Sequence, residues 1–405
     1  TRLRTVTGVQ TCALPIFEGK PLNADDYSLS DDETKVLFWK DKEPLFRHSY
    51  MANYFVYDLT EKKLIDLSIY GKSQLCEISP DGKKVAYVRD NNLYVRELNS
   101  MSEHMLTQDG RHNFIINGAP DWVYEEEFSF SKAFEWSPDG SKLAFMKFDE
   151  SRVREFTLTY FDSLYPRQES YKYPKAGEQN SVVDVYLYNY NEGSMVKVDA
   201  GSNTDQYIPR IYFTPSNQLC VMRLNRMQNK VDLLLSDNNG TTSVMFSEED
   251  KTFIDIENSC GLIFLNDNKH FIWQSYRDGY NQIYLYKTDG TLEKQVTSDK
   301  KDVTEFYGYD ESSKLFYYQS YETSPIDKQV YSIDLKGKKK LLTYANGVNN
   351  AEFSYGFKYF VNNYSTANKP NLIELYDNKG KKIKLLCVLL KKELLLKQRS
   401  TVCGF

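Results

Sequence analysis

One short pattern returns along most of the chain and decides what it can fold into. An apolar or aromatic residue meets a turn rich in Ser, Asn and Asp, and an alternating apolar strand follows. Leu29-Ser30-Asp31-Asp32 leads into Val36-Leu37-Phe38-Trp39, and Ile78-Ser79-Pro80-Asp81-Gly82 into Val85-Ala86-Tyr87-Val88. Trp136-Ser137-Pro138-Asp139-Gly140 leads into Leu143-Ala144-Phe145-Met146. The pattern returns at Phe213, Phe264, Tyr309 and Phe353, which makes seven units. A second strand follows in most of them, as in Gln282-Ile283-Tyr284-Leu285-Tyr286. Pro and Asp preset such turns, and Gly supplies the positive φ that closes them. Strand, turn and strand at a long, repeated interval is the pattern of β-propeller blades, each a small sheet that buries its faces against its neighbours. The alternative is a large β-sandwich with coincidental turns, and seven returns of one motif argue against it.

Composition agrees. Aromatic residues make up 15% of the 405 residues, with 32 Tyr and 23 Phe, which suits half-buried pleated surfaces. The net charge of −5 offers no basic stripe for nucleic acid. Six Cys are scattered without a CxxC pair, and the four His have no ligand spacing, so neither a disulfide framework nor a metal site is read; metal and cofactor are both none. No apolar run approaches a membrane span. Residues 1–16, with Val6-Thr7-Gly8-Val9-Gln10-Thr11-Cys12-Ala13-Leu14-Pro15-Ile16, resemble a translated sequencing adapter and are set aside. Residues 387–405 turn abruptly Leu/Lys-rich and read as a frameshifted or non-native tail, the other reading being a short amphipathic helix. The fold argument therefore covers 17–386.

One stretch stands apart from the sheet pattern: Asp121-Trp122-Val123-Tyr124-Glu125-Glu126-Glu127. Adjacent carboxylates repel one another, so ordering them calls for a cation. On residues alone, an acid run is most often a solvated helical turn. Two long intervals flank the third unit. One, 97–135, carries the acids; the other, 150–182, is too aromatic to hang in water, and should lie on the sheets or meet another chain. An earlier loop holds Arg47-His48-Ser49-Tyr50.

Taken in order, Phe46-Arg47-His48-Ser49-Tyr50, Asp-Trp-Val-Tyr-Glu-Glu-Glu (121–127), Trp-Ser-Pro-Asp-Gly (136–140) and Tyr-Pro-Lys-Ala-Gly (173–177) resemble the dipeptidyl peptidase IV group of the prolyl oligopeptidase family. The resemblance implies an eight-bladed N-terminal propeller of four-stranded blades, with a short helical segment carrying the glutamates, followed by an α/β-hydrolase domain. Seven blades are visible here, so the first blade is expected to be the missing one. It implies release of X-Pro or X-Ala dipeptides from a free N-terminus by a serine peptidase at the periplasm or cell surface. It also implies that Glu126 and Glu127 bind the substrate ammonium, that Arg47 reaches a substrate carbonyl and braces the glutamates, and that 150–182 is an arm for homodimer contacts.

No Gly-x-Ser-x-Gly elbow occurs in the chain and no long βα alternation follows residue 386, so the catalytic triad is expected in an absent hydrolase domain, and the chain alone should be inactive. The competing reading is a stand-alone propeller that binds proteins or peptides without catalysis. Glu125 is expected to face water. Trp122 and Tyr124 are expected to be packing anchors and His48 structural. Arg47 is open between a substrate role and a surface ion pair. Arg277-Asp278-Gly279 reads as a hairpin turn.

Overall fold

The recurrent turns close through their side chains. In the computed structural model, which describes residues 15–17, 19–256 and 261–388, Ser79 Oγ accepts from Lys84 N at 2.9 Å and donates to Asp81 at 2.6 Å. Ser137 does the same with Lys142 N (2.8 Å) and Asp139 (2.7 Å), and Ser30 with Lys35 N (3.0 Å) and Asp32 (2.6 Å). A hydroxyl one residue into the turn thus replaces the main-chain partner that the strand has lost. Gly82 and Gly140 take φ of 68° and 69° at the closing position. Glu33, Asn217, Asn268 and Lys314 adopt the same left-handed conformation where the sequence has no glycine.

The chain is all-β, and among the described residues its seven main sheets are the antiparallel blades of a β-propeller, six of four strands and the third of five. The first comprises Asp26–Leu29, Lys35–Pro44, Tyr50–Asp58 and Lys63–Asp66, each hydrogen-bonded to the next. The others span 74–105, 115–198, 206–249, 263–295, 303–341 and 348–388. These seven sheets correspond to the seven units of the sequence. Four lie in one compact unit within residues 9–257, and three lie in a second that begins at 258.

Within each unit the core sits between neighbouring sheets. Leu37, Tyr54 and Val56 of the first sheet pack with Val85, Tyr87 and Tyr94 of the second. Ala86, Val88 and Leu93 on the opposite face of that second sheet pack with Phe134, Trp136 and Phe145 of the third. In the other unit Ile272 and Leu285 pack with Phe316 and Tyr318, and Tyr317 and Val330 with Phe353 and Phe360. A sheet covered on both faces reads as a continuous apolar run, which is why Lys84–Arg89 and Gln282–Lys287 are buried along almost their whole lengths.

The third sheet carries the departure that makes the site. Ile115–Asn117 and Phe134–Trp136 both pair with Lys142–Asp149, one after the other along the same edge. The chain leaves that edge at Gly118 and returns at Ala133, whose N–H donates to Gly118 O at 3.0 Å. Residues 119–132 are thus an excursion from an interrupted strand. Gly118 (φ 76°) permits it, because a Cβ there would come within 3.0 Å of Leu93 and 3.1 Å of Val88. A second insertion, between the middle strands of this sheet, forms the hairpin Glu155–Tyr160 with Arg167–Lys172.

Pro15 and Ile16, at the end of the adapter-like stretch, are described: Ile16–Phe17 pairs with Lys20–Pro21. At the other end Cys387 and Val388 still pair with Ile373 and Leu372. Residues 1–14 and 389–405, on which most of the two terminal readings fall, lie outside the described residues. Among the described residues, no helix is long and apolar enough to cross a membrane.

Candidate functional site

The excursion folds into a single helical turn, α1 (Trp122–Glu127). Asp121 caps it, its carboxylate accepting from Tyr124 N at 2.9 Å, and Phe128 N donates to Tyr124 O at 3.2 Å at the far end. So short a helix is not stable by itself and depends on its anchors. Tyr124 is fully buried against Phe128, Phe130, Phe148 and Tyr207, and its hydroxyl accepts from Ile208 N at 3.1 Å. Trp122 packs on Tyr173 with ring centroids 4.4 Å apart. Both residues are the packing anchors expected from the sequence.

The three acids stand at the C-terminal end of this turn, where the backbone carbonyls make negative charge unfavourable. Outside groups compensate Glu125 and Glu126, and all come from the loop at 46–49. Glu125 is only 1% exposed, and its carboxylate accepts from His48 N at 2.7 Å and Ser49 N at 3.0 Å. The expectation that Glu125 faces water is therefore wrong. A carboxylate can be buried once main-chain amides satisfy it, and the Arg47 loop supplies them. The sequence could not show this, because the two partners lie 76 and 77 residues away. His48 takes part through its backbone, which agrees with its structural reading.

Glu126 is half-buried. Arg47 Nε donates to both of its oxygens, at 3.1 and 2.9 Å, while the Arg47 side chain remains largely exposed. Glu127 is exposed, and no hydrogen bond or ion pair among the described residues reaches it. The structure thus brings Arg47 to Glu126 directly, and sets Glu127 beside the pair on the same turn. The cluster can do one thing chemically. It presents two carboxylates with a single guanidinium, an excess of negative charge with open acceptor sites.

Sequence reasoning also missed the arm's part in the site. Tyr171, in the returning strand of the hairpin, lies 6.3 Å from Phe46 and 6.4 Å from Trp122 between ring centroids, so it touches both the loop and the helix. Ser181, where the arm ends, donates to the cap residue Asp121. Burial pushes the Asp121 carboxyl up, against the Ser181 and Tyr124 hydrogen bonds that hold it down. Next to it Glu150 is pushed up to about 8, by burial first and by the Asp121 charge second, with Lys172 opposing. The aromatic richness of 150–182 was the available signal; which rings face the helix depends on hairpin register. At the far end of the arm Phe161, Leu164 and Tyr165 are exposed. Arg277 and Asp278 lie between paired strands, as read.

Comparison with known proteins matches the chain to a known family. The family model of the dipeptidyl peptidase IV N-terminal region matches residues 30–371. Dipeptidyl peptidase 4 of Arthroderma otae is 30% identical over 377 residues, covering 88% of this chain and 48% of that protein. Prolyl endopeptidase FAP of Mus musculus is 30% identical over 368 residues, covering 84% and 48%. The crystal structure of Porphyromonas gingivalis dipeptidyl peptidase 4 superposes with a TM-score of 0.87 at 38% identity, over 92% of this chain and 54% of that one. The chain spans about half the length of these relatives. With the propeller sheets and the ordered motifs, the match shows that the chain belongs to the dipeptidyl peptidase IV N-terminal region family.

Proposed function

We propose that this chain is the substrate-gating propeller of a dipeptidyl peptidase IV-like serine exopeptidase, which releases N-terminal X-Pro and X-Ala dipeptides. Glu126 and Glu127 anchor the substrate's terminal ammonium. Arg47 braces Glu126 through Nε and offers its remaining guanidinium N–H groups to a substrate carbonyl. A peptide's α-amino group has a pKa near 7.7–8.0 and is mostly ammonium at neutral pH. It brings three donors to the open carboxylate oxygens, in charge-assisted bonds worth roughly 1.5–3 kcal/mol each. An internal segment brings no such cation and would leave the acids desolvated and unpaired. Fixing the amine at one distance from a nucleophile lets a single bond reach attack position, which makes the enzyme an exopeptidase.

The reading divides the chain at 16 and 386 and places the nucleophile in a hydrolase domain not among these residues. It places the protein at the periplasm or cell surface. The arm at 150–182, with its exposed apolar tip, is proposed to meet a second copy.

The observation that best supports it is the 2.9 Å pair between Arg47 and Glu126 beside Glu127, which no hydrogen bond or ion pair among the described residues reaches. The test is binding of Ala-Pro amide to the chain by calorimetry, set against its Nα-acetylated form. Acetylation should abolish binding, and Glu126→Gln or Glu127→Gln should weaken it about tenfold or more. Equal affinity for the acetylated peptide would remove the ammonium anchor.

A further inference from the structure

A cavity of about 660 Å³ lies wholly within the second unit and shares no residue with the Arg47–Glu126–Glu127 cluster. It runs along the edge strands Val303–Asp310 and Val348–Phe353 of two adjacent sheets and under the turn Tyr355–Phe357. Such a volume falls in the range of ligand sites, roughly 300–1,000 Å³.

The turn is held in an unfavourable conformation. Gly356 and Phe357 have consecutive positive φ, 73° and 53°. The Phe357 ring folds back to stack on Tyr317, 5.3 Å away and 7° from parallel. It fits only because position 308 is Gly, where a Cβ would come within 2.5 Å of the ring. The same turn leaves Tyr355 completely exposed at the rim. A left-handed non-glycine residue such as Phe357 is a form of local strain that clusters at binding sites, and here it adjoins the exposed Tyr355 ring.

The charges in the lining are one-sided. None of the described residues lining the cavity is Lys, Arg or His. Of its four acids, Asp310 accepts from Ser312 and Ser313, and Glu311 accepts from Asn266 N and Nδ2 at 2.9 Å. Glu305 and Glu352 are reached by no hydrogen bond or ion pair among the described residues. Desolvation pushes the Glu305 carboxyl up, with the Lys328 charge opposing. No three acids among the described residues converge closely enough to hold a metal ion. The walls beside them are Tyr307, Tyr309 and Phe357, whose ring faces attract cations. An anion would be repelled here, and a neutral ligand would leave the two carboxylates uncompensated.

We propose that this cavity binds an organic cation with an apolar stem, the basic side chain of a polypeptide, with Glu305 and Glu352 as counter-charges and Tyr309 and Tyr355 as aromatic walls. Calorimetry on the full chain with Nα-acetyl-arginine amide tests it, because that probe has no α-ammonium to engage Glu126 and Glu127. Binding is expected in about the millimolar range. It should weaken about tenfold for the neutral Nα-acetyl-citrulline amide, and by a similar factor in Glu305→Gln and Glu352→Gln. Tyr355→Ala, at a fully exposed position, should weaken it without altering the thermal melt, and Glu126→Gln should leave it unchanged. Spermidine, run in parallel, separates the two sources of such a cation. Tight spermidine binding with no binding of the arginine amide would overturn the polypeptide assignment. Absence of binding by both, or affinity indifferent to Glu305, Glu352 and Tyr355, would overturn the site.

Discussion

Glu125 sits deepest of the three acids, and its carboxylate serves the main chain of another loop. One of its oxygens accepts both His48 N and Ser49 N, so the loop that carries Arg47 and the turn that carries Glu126 are held together from beneath. Hydrogen bonds to an ionised group contribute roughly 1.5–3 kcal/mol, and a buried N–H left unpaired costs about 1–3 kcal/mol. Glu125→Ala is therefore expected to lower stability by about 2–4 kcal/mol in urea unfolding, with Glu125→Gln nearer half of that because one acceptor remains. A water-facing acid would change the midpoint hardly at all, within about 0.5 kcal/mol. The same substitution should loosen the Arg47–Glu126 pair, since the exposed guanidinium has little else to fix its position. What the residue scale gives the site is a difference in roles among three identical side chains. Glu125 serves the fold, Glu126 is shared with Arg47, and Glu127 has no partner among the described residues.

At the scale of elements, the helix is a detour in an edge strand, clamped by the arm that leaves the same sheet. Asp121 caps the turn and receives Ser181 from the end of the arm, and Glu150 lies buried where the arm begins. Glu150 carries a prediction of its own. Its carboxyl is pushed from an ordinary 4.5 up to about 8 in the folded chain. Between those values the folded state binds more protons than the unfolded one. Stability should thus fall as pH rises from 4.5 to 8, and the penalty should be complete above 8. Glu150→Gln keeps the shape and removes the charge. It is expected to flatten that decline and to raise stability at pH 8 by about 2–4 kcal/mol, read from urea titrations at several pH values. How far such an element can be read from sequence is uneven. The acid run, its Asp cap and its two aromatic anchors are local, and local pattern finds them. The burial of Glu125 and the contact of Tyr171 with Phe46 depend on which distant loop arrives and in which hairpin register, and no periodicity encodes either. Glu125 was misread for that reason: its neighbours in sequence are acids and suggest water, while its neighbours in space are amides.

For the whole molecule, the repeat was legible because the same physical problem recurs in each sheet. In the first three sheets the first hairpin closes through a turn whose hydroxyl and carboxylate cap the strand ends, so Ser30, Ser79 and Ser137 leave the same mark in the sequence. The interrupted strand of the third sheet was not legible, since Ile115–Asn117 is too short to stand out before the excursion begins. The propeller reading also separates two activities that a complete peptidase would combine. On the proposed function, which places the nucleophile in a hydrolase domain, these residues are expected to bind a free peptide N-terminus and to release no dipeptide from it. The binding has a pH signature set by the ligand. Above the amine pKa near 7.7–8.0, the ammonium fraction falls about tenfold per pH unit, and the affinity for Ala-Pro amide should fall with it. Calorimetry from pH 7 to about 10 on the chain, alongside an assay for released dipeptide, measures both halves of the expectation. A flat affinity profile would mean that the site holds a neutral amine, in which case two adjacent carboxylates would have no electrostatic reason to be there.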